Sequence, residues 1–109
     1  MEYFWLNDEQ YAAISAHIPM DIRGKQRADD RKVISGIIHV LINDAGWKSA
    51  TREIYGPKTT MYYRFLRWNM KGVWENIFDT LERHGGPSRD MLVENATRLV
   101  KVYRDPGSS

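Results

Sequence analysis

Lys58, Thr59, Thr60, Tyr63, Arg64, Arg67 and Lys71 are the side chains whose types and spacing most clearly suggest chemistry. They lie in the stretch YGPKTTMYYRFLRWNMKGVW from Tyr55 to Trp74, and no acidic residue occurs between Glu53 and Glu75. Arginine and lysine neutralise phosphates and pair with guanine edges, while threonine and tyrosine hydrogen-bond phosphates. Gly56-Pro57 opens the stretch and Lys71-Gly72 closes it, which marks one short helix. At about 100° per residue, Met61, Phe65 and Trp68 fall on one side, extended by Tyr62 and Leu66. Thr60, Tyr63, Arg64, Arg67 and Lys71 gather on the opposite third of the circumference. That pattern suits a helix reading the major groove of DNA. It equally suits a core helix with a solvated charged face, so the context must decide. A second basic cluster, Arg23, Lys25 and Arg27 around Gly24, reads as a loop able to touch backbone phosphates.

Other chemistries find little support. The chain has no cysteine, which removes disulfides and thiolate metal sites and fits a reducing compartment. His17, His39 and His84 stand on separate elements without paired-ligand spacing, so no metal is expected. No nucleophile elbow, phosphate loop or dinucleotide fingerprint is present, and no cofactor or catalytic residue is expected. Trp47, Trp68 and Trp74 read as core aromatics, which leaves Tyr63 as the aromatic of the basic face. The net charge of +2 says little by itself; its collection in two places says more. No apolar run is long enough to span a membrane, and the N-terminus lacks the layout of a signal peptide.

The elements that must position these groups are helical. Length and composition indicate one domain of 109 residues with a modest core. Met1 to Trp5 is an aromatic leader expected to fold back on the body, with a contact to another chain as the alternative. Asn7 and Gln10 form a capping box, Leu6 and Tyr11 a hydrophobic staple, and Tyr11, Ile14 and Ile18 an apolar stripe that Pro19 ends. Asp29 and Asp30 start a second helix whose Val33, Ile34, Ile37, Ile38 and Leu41 make it the central rod, closed by Asn43-Asp44-Ala45-Gly46. Trp47 to Tyr55 reads as a short helix with Trp47, Ala50 and Ile54 inward. Short helix, glycine-containing turn and basic helix together are the layout of a helix-turn-helix. Val73, Trp74, Ile77, Phe78 and Leu81 define another helix that Gly85-Gly86-Pro87 breaks. Ser88 can cap a last helix, although Leu99 to Tyr103 is also β-prone; a lone strand would have no sheet to join. The predicted fold is all-α, a compact bundle of five to six short helices containing a helix-turn-helix. Residues 1–86 form the helical DNA-binding domain, 87–104 a C-terminal helix and 105–109 a frayed tail.

This ordered series resembles the N-terminal helical domain of bacterial insertion-sequence transposases of the insertion-sequence-five group. The matching residues are Asp8-Glu9-Gln10, Ile14 and Pro19; Arg27-Ala28-Asp29-Asp30-Arg31, Val33, Gly36, Ile37 and Leu41; Gly46 and Trp47; Tyr55-Gly56-Pro57, Thr59 or Thr60, Tyr62 or Tyr63, Arg64-Phe65 and Arg67-Trp68; and Gly72-Val73-Trp74 with Ile77. The resemblance covers about residues 6–84. It implies binding of an element's DNA ends by Lys58, Thr59, Thr60, Tyr63, Arg64, Arg67 and Lys71. It also implies a catalytic carboxylate domain further along in the family. Met91 to Arg104 is similar to the first catalytic strand of that domain, but Asn95-Ala96-Thr97 places an amide where the family has an aspartate. The chain departs as well at Lys48-Ser49-Ala50-Thr51, where the family has a proline-containing segment. Two-metal phosphoryl transfer needs converging carboxylates, so no enzyme activity is expected.

The expected function is sequence-specific binding of double-stranded DNA, as a transcriptional regulator or a non-catalytic transposase fragment in the cytoplasm, associated with the nucleoid. The expected partners are double-stranded DNA, a second copy of the chain and, on one alternative, a catalytic transposase chain; no membrane is expected. The other alternative is a protein-interaction or inhibitor module that has lost DNA.

Overall fold

Val33, Ile34, Ile37, Ile38 and Leu41 are all buried in the computed structural model of the protein, which describes residues 3–19 and 29–104. They belong to α2 (Asp30–Asn43), which Asp29 caps by accepting from the backbone N–H groups of Arg31 and Lys32. Around this rod lie α1 (Asp8–Ser15), a 3-10 turn (Trp47–Ser49), α3 (Arg52–Tyr55), α4 (Lys58–Met70), α5 (Trp74–Arg83) and α6 (Arg89–Arg104). The fold is all-α, with no strand among the described residues. α2 packs against α3, α4, α6 and the 3-10 turn, and α5 packs between α1 and α6. The basic segment holding Arg23, Lys25 and Arg27 lies outside the described residues, as does the tail from Asp105.

Local chemistry sets the ends. The capping box of α1 is present, with Gln10 N–H donating to Asn7 Oδ1 at 2.7 Å and Asn7 N–H to Gln10 Oε1 at 3.0 Å. α1 stops at Ser15, short of the expected end at Pro19, where the N–H groups of His17 and Ile18 reach only three residues back, to Ile14 O and Ser15 O. α4 and α5 end in the same way. Gly72 and Gly85 take positive φ, and the next residue's N–H reaches back to Trp68 O or Leu81 O, as in a Schellman motif. α2 uses Asp44 for this role, at φ 48°.

One further sequence expectation changes. Trp47 to Tyr55 is not one helix: Ala50 and Thr51 are extended, so a single 3-10 turn precedes a four-residue α3. Ser49 Oγ closes the turn on Gly46 O, and Trp47 and Ala50 are buried while Ile54 is only half-buried. The expected last helix is present and contains Met91 to Arg104. Within it, buried Asn95 donates its amide to Leu41 O at 2.7 Å and accepts from Arg98, so the amide ties α6 to the end of α2. The leader does fold back over residues 3–6: Tyr55 Oη donates to Phe4 O at 2.6 Å, Leu6 N–H to Ser35 Oγ, and Arg31 Nε to Leu6 O.

Gly36 sets how closely α3 and α4 approach the rod. A Cβ there would lie 2.4 Å from Met61 Sδ and 2.8 Å from Tyr55 Cβ. Gly36→Ala, although alanine favours helix by about 1 kcal/mol, is therefore expected to lower stability by about 1–3 kcal/mol through overpacking, measured by urea unfolding.

His39 is buried against Tyr3 and Tyr55, with ring centroids at 5.3 and 5.4 Å. Burial lowers its pKa from the usual 6.5, opposed by the Ser49 backbone. The unfolded chain then binds a proton that the native state resists, so this contribution is complete above pH 6.5 and is lost as pH falls below it. Thermal melts are expected to show stability declining below that pH, with a shallower decline in His39→Phe.

Candidate nucleic-acid interface

α4 is held by Met61, Phe65 and Trp68, all buried. Phe65 meets Trp47 at 5.7 Å and Trp74 at 6.0 Å between ring centroids, and Trp74 Nε1 donates to Phe65 O at 3.0 Å. This inward face fixes which side chains look out. Lys58, Thr59, Tyr63, Arg67 and Lys71 are exposed, and Thr60 is half-buried at the edge.

Arg64 does not join them. It is 6% exposed, its Nη1 lies 2.7 Å from Asp30 Oδ1, and its guanidinium sits 5.0 Å from the Trp68 ring centre. The helical projection placed it on the basic face. Yet it follows Met61 by three residues and precedes Trp68 by four, spacings that share a face. Its long stem can lie along the apolar edge while its charge meets the first carboxylate of α2. Arg64 is thus a tie between α4 and α2, not part of the outward surface.

The remaining cations are sorted by place. Arg31, Arg83, Arg89 and Arg98 pair with Asp8, Asp79, Asp90 and the Asp44–Glu94 pair respectively. Lys48, Arg52, Lys58, Arg67 and Lys71 have no ion pair among the described residues, and neither do Lys32 on α2 and Lys101 on α6. A groove of about 560 Å³ separates the 3-10 turn from the start of α4, lined by Gly46, Trp47, Lys48, Lys58, Thr59 and Tyr62. A second, of about 480 Å³, shares Lys48 and Lys58 and adds Arg52. Sequence reasoning did not single out Lys48 or Arg52. Their signal was position, flanking the Gly56-Pro57 turn with no acid beyond Glu53.

A family model described as "Putative transposase of IS4/5 family" (DUF4096) matches residues 6–78. The chain belongs to that family. In this IS4/5-type domain the matched stretch runs from the residue before the capping box of α1 into α5, and it includes α4 whole. α6, with Asn95, lies beyond it. No curated protein and no solved structure matches the chain. Among the described residues no cluster of histidine and carboxylate side chains could hold a metal ion, and no helix is long and apolar enough to cross a membrane.

The two arginines of α4 are expected to separate in experiment. Arg64→Ala strands Asp30 and should cost about 2–3 kcal/mol, less than the roughly 3–5 of a fully enclosed pair because Asp30 is about one-third exposed. Arg67→Ala should stay within about 0.5 kcal/mol of wild type. Chemical denaturation of both variants checks the contrast.

Proposed function

We propose that this domain binds double-stranded DNA through a helix-turn-helix formed by the 3-10 turn, α3, the Gly56-Pro57 turn and α4, with α4 in the major groove. Membership of a transposase family supports a DNA-related role. The observation that carries the reading is the clustering of unpaired cations: apart from Lys32 and Lys101, the lysines and arginines without an ion pair among the described residues are Lys48, Arg52, Lys58, Arg67 and Lys71, which gather around α3 and α4 and are left to meet an outside anion.

In this reading each cation has a task. Lys48, Arg52 and Lys58 border the two grooves at the start of α4 and follow the sugar-phosphate backbone. Arg67 and Lys71 reach base edges or the opposite strand, and Tyr63 and Thr59 supply neutral donors. Gly56, at φ 87°, makes the tight turn that sets α4 at its angle to α3. The domain supplies recognition without chemistry.

In vitro selection from random duplexes, followed by gel-shift titration, tests this. With about five phosphate contacts the logarithm of affinity is expected to fall by about four to five per log unit of salt. Arg67→Ala is expected either to lower that slope by about one or, if it reads a base, to cost about 1–3 kcal/mol and relax specificity at one position. Failure to select any sequence, with binding insensitive to salt, would overturn the reading.

A further inference from the structure

The outward face of α4 is not only charged. Tyr63, 67% exposed, and Met70, 87% exposed, are the most exposed large apolar side chains among the described residues. With Thr59 and half-buried Leu66 they recur at intervals of four, three and four, which is one straight stripe along a helix. The stripe spans about 16 Å at 1.5 Å per residue, the length of about five base-pair steps. Lys58 flanks it on one side, and Arg67 and Lys71 on the other, all without an ion pair among the described residues.

An apolar ridge flanked by cations needs an occupant that is apolar along its middle and anionic along its edges. A second copy of the same face would set like charges against each other. The major groove meets both requirements: phosphates border it, and the C5-methyl of thymine is the apolar group on its floor. We infer that this ridge reads thymine methyl groups, so that the domain selects thymine-rich duplexes by apolar contact, with Met70, Leu66 and the Thr59 methyl as the contacting groups. Arg67 and Lys71 then hold the neighbouring phosphates or a guanine edge. This rests on the DNA-binding reading above and goes further, because it names the feature of the duplex that is recognised.

Replacing thymine by deoxyuridine removes that methyl and leaves base pairing intact. On a duplex obtained by selection, deoxyuridine at the thymines under α4 is expected to weaken binding about fourfold for each methyl buried, while deoxyuridine outside the footprint has no effect. Met70→Ala is expected to fold normally, since the side chain is exposed, and to narrow the thymine-to-deoxyuridine ratio. Equal affinity for both duplexes, in a protein that still binds DNA with a steep salt response, overturns this inference and leaves the DNA-binding reading standing. A self-association in ultracentrifugation that Met70→Ala abolishes also overturns it, because the ridge would then be an interface between copies. Absence of binding to any duplex removes the reading beneath it instead.

Discussion

The close approach of α4 and α3 to the central rod at Gly36 is the constraint on which the rest depends. With no side chain at that point, Met61 and Tyr55 lie directly against the backbone of α2. Tyr55 then reaches Phe4 O and draws in the leader, and Met61 begins the buried face of α4. Once that face is fixed, helix geometry decides everything else that α4 presents. Arg64 falls at the margin of the buried arc and is closed in by Asp30; Tyr63, Arg67 and Met70 fall outside it.

The other end of the rod is secured differently. Asp44 takes the left-handed position that ends α2, accepts from Arg98, and shares the Leu41 carbonyl with Asn95, its backbone N–H and the Asn95 amide both donating to that oxygen. An amide can donate to a carbonyl, which an ionised carboxylate cannot. The residue that interrupts the similarity to a catalytic strand therefore has a structural use of its own, inside a helix packed against α2 and α5.

Much of this was legible from residue order. The capping box, the apolar spacing of α2 and α5, and the stops near Asp44, Gly72 and Gly85 depend on local chemistry, and local chemistry survives folding. What was not legible depends on distance in space. Arg64 looked outward because a projection of one helix does not contain Asp30, thirty-four residues earlier. The break at Ala50-Thr51 has no glycine or proline to announce it, and α1 ends at Ser15, well before Pro19. Lys48 and Arg52 gain meaning only where the 3-10 turn and α3 bring them beside Lys58.

If the domain binds as proposed, DNA lies on the unpaired face of α3 and α4. Backbone amide chemical-shift mapping of the protein titrated with a selected duplex tests it most directly. The largest changes are expected along the outward face from Lys58 to Lys71 and at Lys48 and Arg52, with α5 and α6 little moved. Changes centred on α5 or α6, with α4 silent, would contradict it.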